Sequence, residues 1–158
     1  MLRTEELCDK FRSLGLKVTP QRRHIFQVLE GNGSHPSADE VYDRVKVSMP
    51  DISLATVYNT LRELVNLGEI RSLDLGEGRS RYDPHTDGHH HLSCVRCRGV
   101  VDVACDTHAL ELAPEQQHGH RILGADVTFY GVCPTCLEQE SVNQTAPSLR
   151  MWGVPASD

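Results

Sequence analysis

The chain has no apolar run long enough to span a bilayer and no charged-then-apolar leader at its start. Those two absences predict a soluble, cytoplasmic protein without a membrane partner. It also lacks a surplus of positive charge: over 158 residues the net charge is −6. Taken whole, that balance argues against nucleic acid. The acidity is unevenly placed, however. Residues 1–82 carry 12 basic and 12 acidic side chains, and residues 83–158 carry 4 and 10. The neutral first part can serve DNA if its cations cluster on one face, and the acidic second part can serve cations. No HExxH helix and no clear general base is present, which weighs against a metal-dependent hydrolase.

At this length the chain forms one medium domain or two small ones. A second half of roughly 75 residues is marginal alone without a staple. The cysteines supply one. Four of the six form identical pairs, Cys94-x-x-Cys97 and Cys133-x-x-Cys136. Each pair presents two sulfurs to one ion, and two pairs close the four-thiolate shell of structural Zn2+. Two redox dithiols are the alternative, but no thioredoxin-like βαβ pattern surrounds either pair. In a cytosolic chain disulfides are not expected. Cys8 is expected to pack as a small apolar residue on a helix, and Cys105 has no assignable role.

The first half reads as helices followed by a hairpin. Thr4 is placed to cap a helix with Leu7, Phe11 and Leu14 inward, ended by Gly15. Thr19-Pro20 starts a second, with Ile25, Phe26 and Leu29 inward and Gly31-Asn32-Gly33 as its stop. Ser37-Ala38-Asp39-Glu40 is a capping box opening a third, with Val41, Tyr42 and Val45 inward. After Pro50-Asp51, Ser53 caps a fourth, with Val57, Leu61 and Leu64 inward, ending near Gly68. Strand-like runs at Glu69–Leu75 and Arg79–Asp83 flank a Gly76-Glu77-Gly78 turn.

This is the pattern of a winged helix-turn-helix with the fourth helix as recognition helix. Ser53, Thr56, Tyr58, Asn59 and Arg62 then offer hydroxyls for phosphates, an aromatic edge, and amide or guanidinium groups for base edges. Arg79 and Arg81 on the hairpin, and Arg22 and Arg23 at a helix start, suit phosphates. Lys17 lies in an arm suited to a minor groove. Helix-hairpin modules also serve as protein contacts, so the pattern alone leaves DNA binding open.

In the second half, His89-His90-His91-Leu92-Ser93-Cys94 is expected to be extended, so His89 and His91 share a face and His90 opposes them. Val100–Val103 reads as the next strand, Asp106–Gln117 as a helix interrupted by Pro114, and His120–Tyr130 as a further strand. A short last helix carries the second cysteine pair, and residues 141–158 are expected to be a disordered tail. Nitrogen and oxygen donors gather among His35, Asp83, His89, His91 and Asp102. A shell without sulfur suits Fe2+ or Mn2+, although zinc or copper bind such donors at least as tightly by intrinsic order. Spacing supports His89 and His91 together; His35 and Asp83 have no spacing argument of their own.

These residues resemble the ferric uptake regulator family of metal-dependent bacterial repressors, over about residues 10–138. Six blocks carry the likeness: Val18–Arg22, His35–Tyr42, Ser53–Leu61, Arg81–Asp83, His89–Cys97 and Tyr130–Cys136. The resemblance implies an α+β protein. A winged-helix DNA-binding domain over 1–82 is followed by a hinge at 83–88. An α/β dimerisation and metal-binding domain over 89–140 then carries the four-cysteine zinc.

It also implies a homodimer on a palindromic, AT-rich double-stranded operator, with a regulatory ion between the domains. His35 and Asp83 then become the winged-helix and hinge ligands, and His89, His91 and Asp102 those of the dimerisation domain. The five resemble the set of the peroxide-responsive branch; iron-responsive members tend to have glutamate where Asp102 stands. The implied mechanism is oxidation by hydrogen peroxide of a liganding imidazole, by analogy His35 or His89, with loss of DNA.

An iron- or manganese-responsive repressor of metal uptake genes, using the same site, is the alternative within the family. The chain departs from the family pattern at Gly88 and Ala125, where some members have further ligands, so no additional regulatory site is expected. His90, His118 and His120 are read as surface residues, with an incidental metal site among them as the alternative.

Overall fold

A computed structural model describes residues 1–74, 80–105 and 112–143 of the chain. Four helices come first: α1 (Thr4–Ser13), α2 (Pro20–Leu29), α3 (Ala38–Lys46) and α4 (Leu54–Asn66). Three start as their sequences dictate. The hydroxyls of Thr19, Ser37 and Ser53 accept from the N–H groups of Arg22, Glu40 and Thr56. At Ser37 the Glu40 carboxylate also accepts from the Ser37 N–H at 2.8 Å, completing the box.

The first helix differs from expectation. Arg3 is its cap, while Thr4 is its first residue, buried, with its hydroxyl donating to Glu30 Oε2 at 2.6 Å. Leu14 lies past the last turn and is exposed, because Gly15 at φ +72° turns the chain away.

Leu7, Cys8, Phe11, Ile25, Phe26, Leu29, Val41, Val45, Val57, Leu61 and Leu64 close into one core between the helices. Phe11 and Phe26 meet with ring centroids 4.9 Å apart. Burying each such side chain contributes about 1.5–3 kcal/mol, so this half holds itself together.

The hairpin β1 (Arg71–Asp74) and β2 (Ser80–Asp83) pairs antiparallel, Arg71 opposite Asp83. The expected Gly76–Gly78 turn and Arg79 lie outside the described residues. On its other side β2 bridges the entry to α3: Ser37 pairs with Arg81, and the Tyr82 N–H donates to the Pro36 carbonyl at 3.0 Å. Asp83, expected at the start of the hinge, is the last residue of β2.

A second sheet has the order β4-β3-β5: β3 (His90–Cys94), antiparallel β4 (Val100–Val103) and parallel β5 (Thr128–Gly131). The strand expected from His120 shrinks to β5, because β3 offers partners only from His91 to Cys94. Before it, Leu123 is 87% exposed.

Pro114 opens a short 3-10 turn, Pro114–Gln116, and Ala113 before it is extended. Residues 106–111 of the expected helix lie outside the described residues. α5 (Pro134–Asn143) runs three residues into the expected tail; the rest of that tail, 144–158, lies outside.

Arg71 ties the halves, donating to Asp126 Oδ1 and to the Thr86 carbonyl. No helix among the described residues is long and apolar enough to cross a membrane.

Candidate metal centres

Among the described residues the second sheet buries few apolar side chains, chiefly Val100 with Cys94 and Cys136. Something else must close it. Parallel pairing of β3 with β5 brings Cys94 level with Gly131, so the turn after β3 and the start of α5 converge. Their four sulfurs, of Cys94, Cys97, Cys133 and Cys136, lie within 4.8 Å of one another.

The Cys97 and Cys133 sulfurs are 3.7 Å apart. Tetrahedral Zn–S bonds of about 2.3 Å require sulfurs about 3.8 Å apart, whereas a disulfide needs about 2 Å. The thiols already feel one another. Burial would raise Cys94, but backbone N–H groups of Cys133, Cys97 and Arg96 aimed at its sulfur bring it down to about 6. Cys136, beside the Cys133 sulfur and buried, is pushed up to about 12. Four thiolates coexist at this spacing only around a cation.

The second cluster is assembled by three separate pairings. The Pro36–Tyr82 hydrogen bond sets His35 beside Asp83. The β3–β4 register sets His91 opposite Asp102. His89, just before β3, turns its Nε2 to 3.0 Å from His91 Nε2.

The ligand atoms of His35, Asp83, His89 and His91 all lie within 4.8 Å of one another. Asp102 Oδ1 reaches 2.7 Å from His35 Nε2, 3.4 Å from His89 Nε2 and 4.0 Å from His91 Nε2. Asp83 Oδ2 is 3.1 Å from His89 Nε2 and 3.6 Å from His91 Nε2. All five expected side chains therefore meet.

Their hydrogen bonding fits a cation. His35 and Asp83 are fully buried, yet neither ring nitrogen of His35 nor Asp83 Oδ2 makes an aligned hydrogen bond among the described residues. Buried polar atoms without partners cost about 1–3 kcal/mol each, and an ion at their common focus would satisfy them together. His35 holds φ +48°, in the left-handed region that few residues other than glycine adopt. Burial, with the neighbouring His89 and His35 rings, keeps His91 below its ordinary pKa and hence neutral, as ligation requires. At Asp102 burial favours the neutral acid, but the hydrogen bond from His85 and the nearby His35 and His89 outweigh it and lower the pKa. His85, which spacing gave no reason to single out, is thus part of the surroundings.

His90 corrects an expectation. It is buried, and its Nδ1 accepts from the Val127 N–H at 3.3 Å. His118 and His120 are exposed and join no cluster among the described residues.

On the first half, α4 turns Tyr58, Asn59 and Arg62 outward, with Ser53 exposed at its cap and Thr56 half-buried. Arg62 donates to Asn59 Oδ1 at 3.2 Å. Lys17 is exposed. The other cations are engaged within the fold: Arg22 pairs with Glu63 at 2.5 Å, Arg23 with Glu5, and Arg81 with Glu40 at 2.7 Å.

A model of the ferric uptake regulator family matches residues 13–130. The chain belongs to that family. A peroxide-responsive repressor of Staphylococcus epidermidis is 36% identical over 140 residues, 85% of this chain and 91% of that protein. Among solved structures, a zinc-bound manganese uptake regulator has a TM-score of 0.65 at 31% identity, over 84% of this chain and 99% of that one. A Francisella tularensis ferric uptake regulator with iron has 0.68 at 27%, over 78% and 96%. These relatives are named as repressors or regulators.

Proposed function

We propose that this member of the family is a metal-dependent transcriptional repressor that senses peroxide. Cys94, Cys97, Cys133 and Cys136 would hold structural zinc, and His35, Asp83, His89, His91 and Asp102 would hold Fe2+ or Mn2+. The observation that carries the reading is the convergence of His35 and Asp83, from the winged-helix half, on His89, His91 and Asp102, from the second sheet. An ion clasped by both halves fixes the angle between the two DNA-reading heads of a dimer, and so their spacing on a palindrome. Metal affinity and operator affinity are then reciprocally coupled.

The operator is read as double-stranded, palindromic and AT-rich, contacted by Lys17, Ser53, Thr56, Tyr58, Asn59 and Arg62. Arg79, outside the described residues, is proposed as a further contact, and Arg22 contributes by buttressing α4 through Glu63. Palindromy requires two copies. Val101, Leu92 and Phe129 line up across β4, β3 and β5, each paired to the next, and all three are exposed. An apolar row of that kind suits burial against a second copy, giving a homodimer of domains 89–140.

Ferrous iron, when bound, supplies the redox chemistry for hydrogen peroxide. The net change is imidazole plus peroxide giving an oxo-imidazole plus water, two electrons leaving the ring. An oxidised His35 or His89 no longer ligates, and DNA is released. The identity to the peroxide-responsive relative and the aspartate at position 102 favour this over a plain iron- or manganese-uptake regulator.

The test is operator binding titrated with Fe2+, Mn2+ and Zn2+, repeated after peroxide, with peptide masses. Loss of binding in the Fe2+ form with one added oxygen on His35 or His89 supports the reading. Retained binding with unmodified histidines refutes peroxide sensing and leaves the uptake-regulator form. Metal-dependent turnover of an ester without operator binding would favour a hydrolase.

A further inference from the structure

We propose that His85 is a positioning residue of the His/Asp centre, holding the outer oxygen of Asp102 so that only the inner one faces the three imidazoles. The proposal rests on reading that cluster as a divalent-cation centre. Asp102 is the least confined of the five donors: its side chain is 35% exposed, against 15% or less for the others. A carboxylate in that setting rotates broadly about its last torsion.

His85 removes the freedom. Its Nδ1 lies 3.1 Å from Asp102 Oδ2, while Oδ1 points inward at 2.7 Å from His35 Nε2. An ionised carboxylate only accepts, so Nδ1 carries the proton.

The His85 side chain is 47% exposed, and the residue meets its surroundings at three places. Its backbone N–H donates to Asp83 Oδ1 at 2.8 Å. Its ring stands edge-on to His89, centroids 6.2 Å apart. Its Cε1 lies against the loop that carries His35, 3.5 Å from where a Cβ on Gly33 would sit. One residue therefore grips both carboxylates, Asp83 through its main chain and Asp102 through its ring. With Oδ2 occupied, Asp102 is a one-atom donor, and the five residues supply five donors rather than six. Groups that orient a ligand in this way commonly change metal affinity 10- to 100-fold, roughly, when removed.

The zinc-loaded full chain is titrated with Mn2+, followed by electron paramagnetic resonance, as wild type, His85→Ala, His85→Asn, Asp102→Ala and the His85→Ala/Asp102→Ala pair. Asparagine places an amide N–H near the position of Nδ1. The expected result is a loss of Mn2+ affinity of about tenfold or more in His85→Ala with an altered manganese spectrum, recovery to within about threefold in His85→Asn, and no further loss when His85→Ala is added to Asp102→Ala. Wild-type affinity and spectrum in His85→Ala overturn the proposal. So does a loss of equal size with and without Asp102, since His85 would then act by another route. If Asp102→Ala itself binds Mn2+ as wild type does, the reading of the centre has failed, and the role of His85 falls with it.

Discussion

The N–H of Tyr82 donates to the carbonyl of Pro36 across a gap of 46 residues, and that one bond sets His35 next to Asp83. The His35 ring nitrogens and Asp83 Oδ2 are buried without an aligned hydrogen bond among the described residues, and the two residues supply two of the five donors of the proposed cation site. His35 enters on a left-handed backbone and Asp83 from the last position of a strand.

Replacing Asp83 by asparagine separates metal binding from folding. Asp83 Oδ2 is buried without a hydrogen bond, so the carboxylate is a liability until an ion arrives. Without regulatory metal, Asp83→Asn is expected to melt at or above the wild-type temperature. Saturating Mn2+ raises the wild-type stability by about 2.7 kcal/mol at a hundredfold excess over Kd, and leaves the variant unmoved. Thermal melts with and without Mn2+ check both halves.

Glu69 predicts how the first half responds to acid. It is buried, accepting from the Leu2 N–H at 2.9 Å and from Lys10 Nζ at 2.7 Å, which ties α1 to the chain after α4. Burial opposes the charge, but the Leu2 N–H, Lys10 and the chain's amino terminus together hold the carboxyl below its ordinary 4.5. A carboxyl depressed in the folded state stabilises above its unfolded pKa and loses that contribution as pH falls through the folded value. Glu69→Gln should therefore cost about 1–3 kcal/mol at pH 7. The gap to wild type should narrow once pH drops below about 4.5 and close well beneath it, as urea melts across pH will reveal.

Much of this was legible in the sequence, for identifiable reasons. Caps and 3.6-residue periodicity are local, so α2, α3 and α4 and their inward faces follow from short segments. The cysteine spacing encodes its own geometry, and strand alternation paired His89 with His91. Three things were hidden because they depend on distant partners. β5 is only as long as the part of β3 it can pair with. Arg22 and Arg81 read as free cations until Glu63 and Glu40 come into reach. His85 has no motif at all; its role exists only once Asp102 arrives from β4.

Zinc removal should affect the two halves unequally. The first half has its own core, whereas the second sheet relies on Cys94, Cys97, Cys133 and Cys136. Structural zinc contributes on the order of 10 kcal/mol in small domains. Denaturing chelation, or Cys97→Ser, is expected to increase amide exchange across β3, β4 and β5 while α2 and α4 keep their protection. Uniform loss of protection would mean that the halves fold as one unit.

Leu92 sits at the centre of the Val101–Leu92–Phe129 row and is 39% exposed in a single chain. A glutamate there places two charges together at a twofold interface and should shift sedimentation from dimer toward monomer. Zinc content is measured on the same samples, because Leu92 shares its strand face with Cys94 and a monomer that had lost zinc would report on the sulfur site instead. If Leu92→Glu sediments as the wild type does, the contact surface lies elsewhere.

Arg62 and Asn59 separate affinity from sequence reading on α4. They are exposed one helical turn apart and hydrogen-bonded to each other at 3.2 Å, so each presets the other. Arg62→Ala should weaken operator binding by about 1–3 kcal/mol. If the guanidinium contacts a base edge, the loss falls on the operator and not on random DNA, and discrimination relaxes at one base pair. If it contacts phosphate, both DNAs lose equally and the salt slope drops by about one. Asn59→Ala follows the same logic with a smaller loss, since it carries no charge. Titrations of operator and random duplexes at several salt concentrations, with Mn2+ held saturating, separate the two cases; no change on either DNA would remove α4 from the interface.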